Sequence, residues 1–175
     1  MYPKAYIDYL VHFHSDRDYF ECHEILEDYW KKDPPDCRNI LWVGFIQLAV
    51  ALYHQRRNNF EGSTRLIRNA YRILTNKKQA LIQLGLDEKQ FILLLKTRME
   101  QIGNKEPYRS INLPIKDPEL LSLCQLESKK SGFAWGNDSD ISNNHLIHRH
   151  TLRDREEVIA ERSRQKELRK RKRES

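Results

Sequence analysis

The first hundred residues show apolar positions three and four apart, the spacing of α-helices, interrupted by short polar breaks. The break at 15–18 carries aspartates that can cap a helix, and the break at 33–36 carries prolines that cannot continue one. Asn59 and Asp87 stand where two further helices begin, and Gln90 completes a capping-box pattern with Asp87. The pattern predicts five helices, over residues 3–14, 18–32, 38–57, 60–77 and 88–102.

The third predicted helix is apolar on nearly all sides, which is typical of a helix at the centre of its fold. Its most apolar part, residues 40–53, is shorter than the roughly 20 residues of a membrane span and contains Gln47. The N-terminus lacks a signal-peptide pattern, and the three cysteines are widely spaced. We therefore expect a cytoplasmic protein without a membrane partner.

The pattern changes after residue 103. Pro107, Pro114 and Pro118 predict an extended segment lying over the bundle, followed by one last short helix at 120–126. We expect an all-α fold, a compact bundle of about five helices with this Pro-containing segment and a mobile charged C-terminal tail. The predicted organisation is a helical bundle domain at 3–126, a linker at 127–150 and a charged basic tail at 151–175, helical or disordered.

The formal net charge is +6, and the tail carries most of it. A basic run near the C-terminus suggests contact with nucleic acid or an acidic partner, although a solubilising end is the commoner role of such a run. Its basic residues are Lys166, Arg169, Lys170, Arg171, Lys172 and Arg173.

Polar side chains interrupt the apolar sides of the second and third predicted helices. His23 and Glu27 lie one helical turn apart within the apolar arc, and Glu24 lies near its edge. Gln47 and His54 share one stripe of the third helix. Because a short connection favours antiparallel neighbours, we expect His23, Glu27, Gln47 and His54 to converge.

The same stripe of the third helix carries two small residues, Gly44 and Ala51. Small residues let a neighbouring helix approach closely, so Gln47 and His54 are expected to present polar groups at a tight helix–helix contact. Such groups need partners, because an unpaired buried polar group costs about 1–3 kcal/mol.

The polar cluster has two interpretations. It is either a hydrogen-bonded network that fixes helix register, needing no cofactor, or a site for a divalent metal. In the second, His23, Glu27 and His54 are ligands and Glu24 is the catalytic general base acting on a bound water. His23-Glu24-x-x-Glu27 differs from the zinc-protease H-E-x-x-H pattern by its final residue, so His54 would have to complete the ligand set.

Three motifs together resemble the domain-of-unknown-function family 309. They are F-E-x-H-E-x-x-E-x-x-W at 20–30, G-x-I-Q-x-A-x-A-L-x-H at 44–54 and N-x-x-G at 59–62. The resemblance covers residues 6–74 and implies a small all-helical bundle with no established activity. Ser63 stands where the family usually has alanine. The signature residues carried over are His23, Glu24, Glu27, Trp30, Gln47, His54, Asn59 and Gly62.

The sequence favours a non-enzymatic helical module that binds a partner or small ligand at a polar groove between helices two and three. A homodimer and an unidentified protein partner are candidate assemblies. Two alternatives stay open, a metal-dependent hydrolase using His23, Glu27 and His54, and a nucleic-acid-associated protein acting through the basic tail.

Overall fold

A computed structural model describes residues 1–152 and 155–174, without the side chains at positions 152, 155–158, 168, 169 and 172–174. A 3₁₀ turn at Pro35–Cys37 joins the second and third helices. The described residues form the helices α1 (Lys4–His14), α2 (Tyr19–Lys31), α3 (Ile40–Arg56), α4 (Phe60–Thr75), α5 (Lys78–Gln83), α6 (Glu88–Gly103), α7 (Pro118–Lys130), α8 (Asn144–Ile147), α9 (Arg149–Leu152) and α10 (Arg155–Glu174).

The all-α bundle is confirmed, but the predicted number of about five helices is too low. Seven of the described helices precede residue 131. The short α5 is a single six-residue helix, too brief for its periodicity to stand out. The last bundle helix is longer than predicted because Asp117 caps it and Pro118 occupies its first turn, where a missing N–H costs nothing.

Helices α1–α4 pack in chain order, with α6 against α4 and α7 against α1. Ring contacts fix α2 and α3 as antiparallel neighbours, because Phe20 meets Tyr53 at one end and Tyr29 meets Trp42 at the other. The predicted neighbour relation of these two helices is therefore confirmed.

The close approach predicted at Gly44 and Ala51 occurs against α4 rather than α2. A Cβ atom on Gly44 would lie 2.7 Å from Leu74 Cδ2, so the two helices touch there. Further along, the Ser63 hydroxyl donates a hydrogen bond of 2.7 Å to the Ala51 carbonyl. The small residues thus anchor α4 to the central helix and leave the opposite side of α3 to α2.

The extended segment before α7 lies over the start of the bundle, as predicted. Arg17, buried in the turn between α1 and α2, donates hydrogen bonds to the carbonyls of Phe13, Ile111 and Asn137. Its guanidinium also bonds Asn112 Oδ1 at 2.7 Å. A single buried cation therefore ties three separate stretches of chain together.

Residues beyond α7 return to the bundle. Trp135 stacks on His14 with ring centroids 4.5 Å apart, and Ile147 of α8 is buried. The boundaries at 126 and 150 stay predictions. In the C-terminal region the structure has α10, whose described side chains are exposed. No helix among the described residues is both long and apolar enough to span a membrane.

Candidate functional site

Helix α2 carries a row of contacting titratable side chains on the face that the sequence singled out. His23 Nε2 lies 3.0 Å from Glu27 Oε2, and its Nδ1 lies 3.3 Å from Glu24 Oε1. Glu27 Oε1 in turn accepts from Lys31 Nζ at 2.8 Å. The imidazole is held between two carboxylates, so both of its nitrogens are engaged within α2.

Neighbouring side chains stabilise the ionised form of Glu27. Burial alone raises the pKa of Glu27, but the hydrogen bond from Lys31 and the charges of His23 and Lys31 outweigh it. The pKa of Glu27 is therefore lowered, and the carboxylate is ionised at neutral pH.

His54 sits near the end of α3 and is joined to the start of α4. The Asn59 side chain caps α4 by accepting from the Gly62 N–H at 3.1 Å, which identifies its oxygen. The amide nitrogen of Asn59 then faces His54 Nδ1 at 3.2 Å and donates to it. The neutral His54 ring must therefore carry its proton on Nε2.

His54 is neutral at physiological pH. Burial lowers the pKa of His54, and the positive charges of Arg57 and Arg65 lower it further. The helix cap and these cations together set both the protonation state and the tautomer of this imidazole.

His23 and His54 face one cavity of about 200 Å³ between α2 and α3. Phe20 and Val50 give it apolar walls. Of the four polar residues expected to converge, these two line a shared space, and Glu27 joins them through His23. The lining residues are Tyr19, Phe20, His23, Val50, Tyr53, His54 and His150.

His150 of α9 closes this cavity, and sequence reasoning missed it. Its Nδ1 lies 2.5 Å from the Tyr53 hydroxyl, and its backbone N–H donates to the same oxygen at 3.1 Å. Arg57 donates to His150 Nε2 at 3.0 Å and to His148 Nδ1 at 3.3 Å. The repeated histidines at 145, 148 and 150 were the available signal, but they lie in the predicted linker.

Five signature residues thus lie at or beside the cavity, since His23 and His54 line it, Glu24 and Glu27 contact His23, and Asn59 contacts His54. The sequence profile described as Domain of unknown function (DUF309) matches residues 6–66, which contain all of the signature residues. "Uncharacterized protein YpuF" of Bacillus subtilis (strain 168) is 55% identical over 173 residues, 99% of each chain. The chain belongs to the DUF309 family. No solved structure matches this DUF309 chain significantly.

Two signature residues of this DUF309 protein stand apart from the cavity. Gln47 is partly buried, and its Oε1 has no hydrogen-bond partner among the described residues. The indole Nε1 of Trp30 is likewise without one, and the Arg38 guanidinium lies 4.6 Å over the Trp30 ring. Neither side chain lines the space shared by His23 and His54.

The metal-ligand hypothesis rests on the α2 cluster. One donor atom each of His23, Glu24 and Glu27 lies within 4.8 Å of the others. His54 fits a ligand role less well, because its Nδ1 accepts from Asn59 and its Nε2 carries the proton. Among the described residues of this DUF309 protein, the three α2 residues place their donor atoms close enough together to hold one cation.

The basic residues proposed to contact nucleic acid lie on α10. Lys166, Lys170 and Arg171 have exposed side chains. The side chains of Arg169, Lys172 and Arg173 fall outside the described part of this DUF309 chain.

Proposed function

We propose that this DUF309 protein is a non-enzymatic module that binds a small ligand in the α2–α3 cavity. The supporting observation is the approach of His23, His54 and His150, from three separate helices, to one space of about 200 Å³. Ligand sites combine apolar walls with a few polar groups that set orientation, and Phe20 and Val50 supply such walls here.

A cavity-filling variant tests this proposal. Val50→Trp places an indole in the cavity, and Val43→Trp, two helical turns away on the same helix and also half-buried, is the matched control. Ligand-observed NMR with a library of small fragments should detect molecules that bind the wild type and Val43→Trp but not Val50→Trp. A library with no binder, or binders unaffected by Val50→Trp, would overturn the proposal.

A divalent metal site on α2 is the second candidate, favoured by the spacing of the His23, Glu24 and Glu27 donors. In a hydrolase version, Glu24 would act as the general base on a metal-bound water. Metal analysis of protein purified without chelators tests this candidate. Stoichiometric metal that His23→Ala loses and His54→Ala keeps would support an α2 site. Loss of the metal in both variants would instead support His23, Glu27 and His54 as the ligands.

The basic tail offers a third, separate function in nucleic-acid binding, since Lys166, Lys170 and Arg171 are exposed on α10. Removing residues 151–175 should abolish salt-sensitive retention of RNA and DNA if this holds. If the full and the truncated chain retain the same amount of RNA and DNA at both low and high salt, this function is excluded. A homodimer and a protein partner also stay predictions, which light scattering of the full chain and of the truncated chain would test.

A further inference from the structure

Tyr53 presents an unused hydrogen-bond donor at the cavity that it lines. An arginine only donates, so Arg57 obliges His150 Nε2 to accept and leaves the imidazole proton on Nδ1. That N–H donates to the Tyr53 oxygen, and the His150 backbone N–H donates to it as well. Both lone pairs of the phenol are then occupied, while its hydrogen has no acceptor among the described residues.

His54 supplies a second donor on the same cavity. Its Nδ1 accepts from Asn59, so its neutral ring carries N–H at Nε2. His23 differs, because Glu24 and Glu27 engage both of its nitrogens. The polar groups left for a ligand are therefore donors, and they suit a ligand with hydrogen-bond acceptors.

The charges around the cavity favour an anion. Arg57 lies 5.4 Å over the Tyr53 ring and bonds His150, so a permanent cation lies against the cavity wall. Among the described residues no carboxylate lines the cavity itself, and Glu24 and Glu27 lie behind His23, whose nitrogens they engage. Beside Tyr53 and His150 the neighbouring charge is Arg57, which attracts a carboxylate and repels an amine.

The size of the cavity limits the ligand to a small molecule. An apolar cavity of about 150 Å³ holds a benzene ring, and sites for drug-sized ligands begin at about 300 Å³. A volume of about 200 Å³ therefore accommodates one ring or a short branched chain together with one polar group.

We propose that the cavity binds a small carboxylate with a single ring or short branched hydrocarbon body, whose oxygens accept from the Tyr53 hydroxyl and His54 Nε2. The body lies against Phe20 and Val50. This inference rests on the proposed function, since it names the ligand class of the same site.

Three probes with the same ring test the ligand class by ¹⁹F NMR on the full chain: 4-fluorobenzoate, fluorobenzene and 4-fluorobenzylamine. We expect 4-fluorobenzoate to bind at least about tenfold more tightly than the other two, because hydrogen bonds to a charged group contribute most. Tyr53→Phe should weaken 4-fluorobenzoate about tenfold. Tyr29→Phe, which changes a tyrosine that packs on Trp42 outside the cavity, should leave it unchanged.

His54→Phe provides a second variant, since it removes the other donor at a half-buried position and keeps an aromatic ring. Tightest binding by fluorobenzene or 4-fluorobenzylamine would overturn the carboxylate class while the cavity remains a ligand site. The carboxylate class would also be overturned if neither Tyr53→Phe nor His54→Phe lowered the affinity for 4-fluorobenzoate. If no probe binds the wild type, the carboxylate class is excluded, and the fragment library separately decides whether the cavity binds anything.

Discussion

His14 makes the stability of this protein depend on pH. Its side chain is 1% exposed and stacks on Trp135. Its Nδ1 donates to the Leu10 carbonyl at 2.8 Å, and its Nε2 accepts from the Leu113 N–H at 2.9 Å. Because Nε2 accepts, the ring is neutral. Burial, assisted by the charge of Arg17, lowers the pKa of His14 to about 4.

The sign and size of the effect follow from proton linkage. The unfolded chain protonates His14 near pH 6.5, whereas the folded chain keeps it neutral until the pH approaches 4. Acidification between these values therefore favours the unfolded state. A pKa lowered from 6.5 to about 4 corresponds to a loss of about 3 kcal/mol in the free energy of unfolding.

Urea unfolding at several pH values between 7.5 and 4 measures this loss. The reference is His14→Gln, whose amide oxygen can still accept from Leu113 N–H and does not titrate. We expect the wild type to lose about 3 kcal/mol relative to His14→Gln over this range. If the free energies of unfolding of the wild type and His14→Gln fall in parallel as the pH is lowered, His14 is not a buried, neutral histidine.

His12, on the same helix, is the matched control with the opposite sign. Burial lowers the pKa of His12, but the hydrogen bond and charge of Asp16 outweigh it, so the pKa is raised. The stabilisation by His12 is complete below pH 6.5 and is lost as the pH rises through the folded-state pKa. His12→Gln should therefore cost more stability at pH 6 than at pH 8.

Four further variants test the packing and the capping. Gly44→Ala should destabilise the protein by about 1 kcal/mol in thermal unfolding, because the added methyl meets Leu74. Its control, Gly103→Ala, adds a methyl in open space and should stabilise the protein by about 0.5 kcal/mol. Equal changes in the free energy of unfolding for the two variants would contradict the close α3–α4 contact. Arg17→Met should lower the free energy of unfolding by about 3 kcal/mol in urea, because it leaves several carbonyls unpaired. A loss below about 1 kcal/mol would show that the Arg17 hydrogen bonds do not hold these stretches of chain together. Asn59→Asp should keep the α4 cap and the melting temperature but weaken the binding of 4-fluorobenzoate. The reason is that a carboxylate facing His54 Nδ1 draws the imidazole proton away from Nε2. An unchanged affinity for 4-fluorobenzoate would argue against the proposed tautomer.

Local features of the fold were predictable from the sequence because they depend on neighbours along the chain. Asn59 and Asp87 cap their helices as predicted, through hydrogen bonds from Gly62 N and Gln90 N. The capping box at Asp87 is incomplete, because Asp87 N donates to the Pro114 carbonyl and the Gln90 amide turns to the Asp87 carboxylate instead. A tertiary contact replaced the second half of a local motif.

The candidate site was predictable only in part. His23 and Glu27 meet because both lie on one helix, one turn apart. His150 reaches Tyr53 across 97 positions of chain, and no periodicity encodes that contact. The stripe of Gly44 and Ala51 predicted a close helix contact but not which neighbour makes it, because small residues allow an approach without selecting a partner.

An NMR titration of the full chain with 4-fluorobenzoate, followed at the Val50 and Val43 methyl groups and the His54 imidazole, tests the binding site most directly. We expect saturable shifts at Val50 and His54, which line the cavity, and none at Val43. Shifts confined to Val43, or no saturable shift at Val50 and His54, would contradict it.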